Sequence, residues 1–188
     1  MNHIERVPYI REASLQYEAI RLPYERAEYE MIIVLPTDQQ TLKNLTVHLK
    51  PEDYKKLFNE EGTEGFDNGV DYKIPRMKFT WSRSIKDPLA EVGVKALFEK
   101  ADLSNLIETM TGDLRVSDVT HATEIEVDEK GTKASAVTGV KVIGYMAPQT
   151  PHAPKPFVVN KPFLMMIYNR PTSTLLFYAY VNNPISNA

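Results

Sequence analysis

Two dense apolar runs near the carboxy terminus, at residues 163–168 and 175–181, constrain the possible fold more than any other feature. Neither run alternates apolar with polar residues, and a polar turn at residues 169–174 separates them. Strands with this pattern are typical of sheets that are buried on both faces. The sequence therefore predicts a hairpin of two strands, each covered on both sides.

The rest of the chain contains more predicted strand than predicted helix. Apolar runs at residues 17–24 and 30–35, joined by a polar turn, predict a second hairpin. Since strands dominate and neighbours pair by hairpins, the predicted class is α+β, with mostly antiparallel sheets and a few short helices. The other predicted elements are helices at 42–49, 51–58 and 88–98, the last broken at Gly93, a loop at 61–65, extended pieces on either side of Pro75 within 70–82, and a long extended run at 114–128.

The composition argues against several classes of function. The chain has 188 residues and a net charge of −3, and no long basic run predicts binding to nucleic acid or acidic lipid. It has no cysteine, which excludes disulfides and thiol catalysis, and its 4 histidines lack metal-ligand spacing. No apolar stretch is long enough for a membrane span, and the charged residues 1–11 do not resemble a signal peptide. Without a nucleophile elbow or a phosphate-binding glycine loop, the chain is not predicted to be an enzyme or to hold a cofactor.

One short motif concerns covalent modification. Asn44-Leu45-Thr46 matches the acceptor sequon for N-linked glycans. Such triplets also arise by chance, so the sequence leaves both interpretations open.

Residues 129–156 form the longest stretch without a clear predicted element, and loops of that length usually have a function. There is no proline from residue 132 to 146, so a strand formed there would lack no hydrogen-bond donor. On one face of such a strand every side chain is small, and Gly131 precedes this face as a hinge; its members are Thr132, Ala134, Ala136 and Thr138. This segment could slide into an existing sheet, whereas the prolines at 148, 151, 154 and 156 predict an extended spacer. The pattern alone also fits an ordinary polar loop without a function.

Short motifs occur along the chain in a definite order. They are Leu22-Pro23-Tyr24 with Met31-Ile32-Ile33-Val34-Leu35-Pro36, then Leu97-Phe98 with Ala101-Asp102-Leu103-Ser104, then Val119-Thr120-His121, then residues 129–138, then Asn160-Lys161-Pro162-Phe163, Leu176-Phe177 and Asn183-Pro184. In this order they resemble the motifs of the serpins, the loop-inserting protease inhibitors. Each motif is weak by itself, but the ordered set covers nearly the whole chain.

The resemblance implies that residues 1–188 are the carboxy-terminal part of a single serpin domain, with the hinge and reactive loop at 129–156. A complete serpin is considerably longer, so an incomplete fold is expected, without the amino-terminal helices and part of the main sheet. One absent strand is the neighbour beside which the loop would insert. The chain is then a fragment, a misplaced gene start or one half of a split protein, and the missing amino-terminal half is a candidate partner.

The resemblance also implies a function, inhibition of a serine protease by a suicide-substrate mechanism. The protease attacks the loop, and the cut loop inserts into the sheet before the acyl-enzyme is hydrolysed. Counting seventeen residues from Glu129 places the reactive bond at Tyr145–Met146, which suits a chymotrypsin-like protease. Lys141 is the second candidate and would suit a trypsin-like protease. The other interpretation is a serpin-fold binding module that never inhibits, and the chain alone is expected to be inactive.

Two residues outside the loop receive implied structural roles. His121 matches a histidine in a hydrogen-bonded lock beneath the main sheet of the family, and its other interpretation is an ordinary strand histidine. Arg76 is expected to pair with Glu129 beside the hinge. The resemblance further implies an extracellular location and a target protease as the partner.

Overall fold

The computed structural model describes residues 2–24, 26, 28–59, 63–64, 69–101, 103, 115–128 and 153–183. Every strand pairing with a defined register is antiparallel except that of the sixth strand with the ninth, which confirms the predicted α+β class with mostly antiparallel sheet. The elements are β1 (Asn2–Glu5), β2 (Tyr9–Glu12), β3 (Tyr17–Pro23), β4 (Tyr29–Pro36), α1 (Leu42–His48), α2 (Pro51–Phe58), β5 (Thr63–Glu64), β6 (Val70–Lys73), β7 (Met77–Ser84), α3 (Lys86–Glu91), α4 (Ala96–Glu99), β8 (Thr120–Val127), β9 (Lys155–Val158), β10 (Phe163–Asn169) and β11 (Thr174–Val181).

The chain divides into two compact units, Met1–Met77 with Glu126–Ala188 and Lys78–Ile125. A six-stranded sheet in the order β11-β10-β4-β3-β2-β5 dominates the first unit. In its middle, Ile33 of β4 lies opposite Ile20 of β3 and Met165 of β10. Nearly all side chains of β4 and β10 are buried, so burial on both faces is confirmed for residues 163–168. This position explains why neither strand alternates apolar with polar residues.

The edge strand β11 departs from the prediction. Its side chains are exposed on both faces, with Leu176 47% and Phe177 39% exposed, so predicted burial on both faces is wrong for this strand. Tyr178 does contact α2, where its hydroxyl lies 3.1 Å from that of Tyr54. The dense apolar pattern indicates that both faces of a strand are suited to burial, but it does not indicate which segment packs against them. A smaller correction concerns the predicted loop at 61–65, because Thr63–Glu64 pairs with β2.

Helices α1 and α2 pack on one face of the six-stranded sheet, at the positions predicted. The Thr41 hydroxyl caps α1 by accepting a hydrogen bond from the backbone N–H of Asn44. Pro51 begins α2, where its missing N–H would have had no partner within the helix. The helices contribute Leu42, Leu45 and Leu57 to a core shared with Ile10, Tyr17, Ala19, Ile32, Val34, Leu164, Met166 and Tyr168.

One charged pair is buried in this unit. Arg21 of β3 and Glu30 of β4 are 1% and 3% exposed, and the Arg21 guanidinium donates to Glu30 Oε2 through Nε at 2.9 Å and a terminal nitrogen at 2.6 Å. The other terminal nitrogen donates to the carbonyl of Asn59 at the end of α2, at 2.7 Å. Arg170 lies 3.4 Å from the second oxygen of Glu30. These bonds connect the central hairpin to α2, and most of the polar atoms of the pair have a partner.

Gly69 immediately precedes β6, the middle strand of a three-stranded sheet in the order β1-β6-β9. Gly69 has a φ of +77°, and a Cβ there would lie 2.8 Å from the carbonyl oxygen of Glu5, so only glycine fits. The Gly69 carbonyl accepts a hydrogen bond from the backbone N–H of Lys155 at 3.0 Å, which starts the parallel pairing of β6 with β9. The predicted proline spacer therefore ends inside a sheet. Pro156 is tolerated because β9 is an edge strand.

The second unit contains most of β7 and β8, which pair in a two-stranded sheet, together with α3 and α4. Gly93, with a φ of 101°, lies between the two helices and confirms the predicted break. The predicted extended run at 114–128 is too long, because β8 begins at Thr120. Backbone groups just before β8 form hydrogen bonds with the helical region instead. The carbonyl of Val119 accepts from the N–H of Ile85, and the N–H of Val116 donates to the carbonyl of Leu97.

Candidate functional site

The predicted reactive segment, residues 129–156, follows β8 and ends two residues too late, because Lys155 and Pro156 lie in β9. Residues 129–152 lie outside the described residues, and with them Tyr145, Met146 and Lys141. The hinge residues stay predictions for the same reason, namely Glu129, Gly131, Thr132, Ala134, Ala136 and Thr138. The structure does describe the chain on both sides of the segment. Strand β8 precedes it and β9 follows it, and these two strands are the segment's fixed ends.

Strand β8 leads directly into the segment. Most of its side chains are exposed, and Glu124 Oε1 lies 2.8 Å from Lys78 Nζ on β7, with both side chains more than half exposed. Val127 at its end is buried. Within the described part of the chain, β8 pairs with β7 alone, so its other edge has no strand partner there. Such an edge can accept a further strand through its backbone N–H and C=O groups.

The two predicted lock residues lie in different units of the chain. His121 is exposed on β8, its ring centroid is 5.7 Å from that of Trp81 in an edge contact, and its Nε2 is 3.1 Å from the Thr123 hydroxyl. Arg76 is exposed and lies immediately before β7. The contact of Arg76 with Glu129 falls outside the described residues and stays a prediction.

Strand β9 anchors the far end of the segment. Lys155 Nζ lies 3.2 Å from Glu18 Oε1 on β3 and 5.2 Å from the ring centroid of Tyr9. Burial, with the nearby Glu18 carboxylate, raises the pKa of Tyr9, so its hydroxyl stays neutral at physiological pH. Phe157 is fully buried. Lys155 thus connects the three-stranded sheet to the six-stranded one at the point where the segment ends.

Sequence reasoning missed β9 because the prolines around it indicated a spacer. A usable signal exists, since Phe157 and Val159 are buried while Pro156 and Val158 are exposed. This alternation over residues 156–159 has the period of a strand. Proline excludes a central strand position but not an edge position.

The described residues show no feature of a metal centre or a membrane anchor. No group of histidine, aspartate and glutamate side chains among them is arranged to hold a metal ion. Nor does any helix in this described part have the length and apolar character needed to cross a membrane.

Comparison with known proteins gives a consistent match along the chain. A family model described as "Serpin (serine protease inhibitor)" matches residues 1–184. Iripin-2 of Ixodes ricinus is 34% identical over 170 residues, which cover 89% of this chain and 40% of that protein. Leukocyte elastase inhibitor of Bos taurus is 34% identical over 175 residues, covering 90% of this chain and 44% of that protein. The chain thus spans less than half the length of these relatives.

Solved structures agree on the fold. The native state of tengpin, a thermophilic serpin, is 28% identical with a TM-score of 0.70, and the match covers 97% of this chain and 45% of tengpin. Thyroxine-binding globulin in complex with thyroxine has a TM-score of 0.74 at 21% identity, covering 98% of this chain and 46% of that structure. The second match, at its lower identity, supports the fold alone. The sheets and short helices described above are therefore part of a serpin fold, as predicted.

Proposed function

The chain belongs to the serpin family, and on that premise we propose that it carries the reactive part of a serine protease inhibitor. In this proposal residues 1–188 belong to one serpin domain, and the hinge and reactive loop begin at residue 129 and end where β9 begins, at Lys155. One observation carries the proposal beyond the family match. The segment follows β8 directly, and β8 has an edge without a strand partner among the described residues.

Insertion beside β8 requires a segment that can enter a sheet without clashes. The face formed by Thr132, Ala134, Ala136 and Thr138 satisfies this requirement, because small side chains displace little of a packed core. Gly131 provides the sharp change of φ that a chain needs to turn back along β8. The backbone groups on one side of the inserted segment would then bond to β8, along the edge that has no strand partner among the described residues.

The chemical step belongs to the target protease. Its serine Oγ attacks the carbonyl carbon of the bait residue, the peptide bond breaks, and the new amine leaves with the proton. The ester that remains joins the protease to the amino-terminal side of the loop. Insertion then moves the attached protease before water can hydrolyse the ester. The inhibitor contributes a bait bond and an open sheet and no catalytic group.

The bait residue sets which protease responds. We place it at Tyr145, before Met146, because an aromatic side chain fits the apolar specificity pocket of a chymotrypsin-like enzyme. Lys141 would direct a trypsin-like enzyme and is the second candidate. Arg76 is proposed to hold Glu129 until the loop moves, and His121 to lock the sheet. An extracellular location and a target protease as partner are parts of the same proposal.

The test uses a completed protein, defined as this chain joined to the amino-terminal half of a serpin relative. It is incubated with chymotrypsin and examined on denaturing gels. We expect a complex that survives heating in detergent, and a released peptide that begins at Met146. Replacing Tyr145→Ala should abolish the complex with chymotrypsin while leaving the loop length unchanged.

Other outcomes decide between the alternatives. A stable complex with trypsin, together with a peptide beginning after Lys141, would show that the bait residue is Lys141 and not Tyr145. Cleavage without any stable complex, by either protease, would contradict inhibition and favour a binding module with the serpin fold.

A further inference from the structure

One motif that the proposed function does not use is the sequon at the start of α1. Asn44 and Val47 are exposed on this helix, while Leu45 between them is fully buried. Asn44 Nδ2 donates a hydrogen bond to Gln40 Oε1 at 2.7 Å, just before the helix. The acceptor amide of the sequon therefore lies on the solvent side of α1.

In the folded helix the threonine hydroxyl of the sequon is hydrogen-bonded to the backbone. The Thr46 hydroxyl lies 3.0 Å from the carbonyl oxygen of Leu42 and 3.1 Å from that of Lys43. The hydroxyl residue is part of what the glycosylation machinery recognises in a sequon. Because the helix engages this hydroxyl and buries Leu45, the folded form presents the sequon poorly.

Helix α1 depends on the core for its helical structure. Helix α1 has 7 residues, and isolated helices shorter than about 12–15 residues are marginal in water. Its stability comes from docking Leu42 and Leu45 into the core. That core also contains Leu164 and Met166 of β10, which are synthesised more than a hundred residues later. During synthesis α1 thus lacks part of the surface that would hold it helical.

We propose that Asn44 is an N-glycosylation site that is modified in the secretory pathway before α1 folds. Asn44 Nδ2 attacks the anomeric carbon of a lipid-linked oligosaccharide diphosphate. A carbon–nitrogen bond forms, the bond to the lipid diphosphate breaks, and one Nδ2 proton leaves. The remaining Nδ2 proton can still donate to Gln40, so the product fits the folded helix. Val47, three residues on and 75% exposed, lies on the same helix face, where an attached sugar would cover it.

The first experiment measures occupancy with an internal reporter. The full chain is expressed behind a cleavable signal peptide in insect cells, with Thr172→Asn added to create a sequon in the exposed turn before β11. Only molecules that carry a glycan at this reporter, and have thus entered the lumen, are scored by mass spectrometry. We expect a second glycan at Asn44, lost in Asn44→Gln and Thr46→Ala and kept in Thr46→Ser. A reporter glycan without one at Asn44 overturns the proposal.

The second experiment tests the order of events. The unglycosylated chain is purified and divided into two samples. One stays folded, and the other is unfolded in mild denaturant and then diluted. Each sample is incubated with solubilised oligosaccharyltransferase and its lipid-linked donor. We expect transfer to Asn44 in the unfolded chain and its loss in the folded chain. Equal transfer to both forms would contradict modification before folding.

Discussion

At the scale of single residues, the small face of the predicted hinge is the most direct test of insertion. In the completed protein, Ala134→Arg should convert the inhibitor into a substrate, because insertion would bury a long charged side chain at a cost of several kcal/mol. The matched control is Ser135→Arg, which adds the same side chain to the opposite strand face. The ratio of stable complex to cleaved inhibitor measures the outcome.

For the two hinge variants the contrast matters more than either result alone. We expect mostly cleaved product from Ala134→Arg and a largely preserved complex from Ser135→Arg. Equal inhibition by the two variants would show that this segment does not enter a sheet in the proposed register.

The buried pair of Arg21 and Glu30 gives a prediction about stability. Replacing Glu30→Ala in the completed protein removes the partner that accepts two of the Arg21 hydrogen bonds and leaves a buried guanidinium. Breaking a buried pair in this way lowers the free energy of unfolding by about 3–5 kcal/mol. Urea unfolding measures the loss.

Two comparisons show whether that loss comes from an unpaired buried charge. Replacing both residues, Arg21→Met with Glu30→Leu, should cost less than Glu30→Ala, because no charge is left buried. Asp38→Asn removes a different ion pair, 2.6 Å long, whose carboxylate is 98% exposed, and should change stability little. If Glu30→Ala behaves like Asp38→Asn, Arg21 finds another partner or reaches water.

At the scale of elements, β11 is an edge that the described residues leave open. It has no charged residue and no proline over Thr174–Val181, and charges and prolines are the usual protection against edge pairing. The chain alone should therefore self-associate through β11. Leu176→Lys, at a 47% exposed position, should raise the monomer fraction in sedimentation velocity experiments.

A variant at a second exposed apolar residue distinguishes strand pairing at the β11 edge from non-specific hydrophobic association. Val47 is 75% exposed on α1, away from any sheet edge. Val47→Lys should leave the association unchanged. If both lysine variants restore the monomer equally, the association is a general hydrophobic effect and not strand pairing.

The elements that the sequence predicted well are those with a local cause. Pro51 begins α2 where a proline suits the first helical turn, and Gly93 interrupts the helical region. The apolar run of β10 was identified because burial on both faces leaves a strong pattern. Strands β1 and β2 were missed because each has four residues, too few for a clear period, and β9 was missed because its prolines indicated a spacer. The apolar pattern of β11 does not by itself indicate exposure, since exposure depends on neighbours outside the strand.

For the candidate site, sequence and structure contributed different parts. The alternating small residues from Thr132 to Thr138 are a sequence observation, and their structural role stays a prediction. The resemblance implied that a strand beside the insertion site is absent, whereas the bounds and pairing of β8 and the anchoring of Lys155 by Glu18 came only from the structure. Both depend on contacts between segments far apart in the chain, which local patterns do not encode.

At the scale of the whole molecule, the chain spans only part of the length of its relatives. It spans 40% of Iripin-2 and 44% of the bovine leukocyte elastase inhibitor. An inserted strand needs a neighbour on each side to satisfy its backbone groups. Strand β8 provides one neighbour, and no described residues form a strand on its other side. A loop inserted into this chain alone would thus leave its own outer edge unpaired.

We therefore expect that the 188-residue chain alone does not inhibit proteases. Incubated with chymotrypsin or trypsin, it should be cut near Tyr145 or Lys141 and should form no complex that survives denaturing gels. Without a second neighbouring strand, the inserted loop gains too few hydrogen bonds, so the acyl-enzyme is hydrolysed before insertion is complete. Size-exclusion chromatography and thermal melting establish the state of the sample before the assay. A monomeric, cooperatively melting chain that traps either protease covalently would show that one neighbouring strand is sufficient and that the insertion mechanism proposed here is wrong.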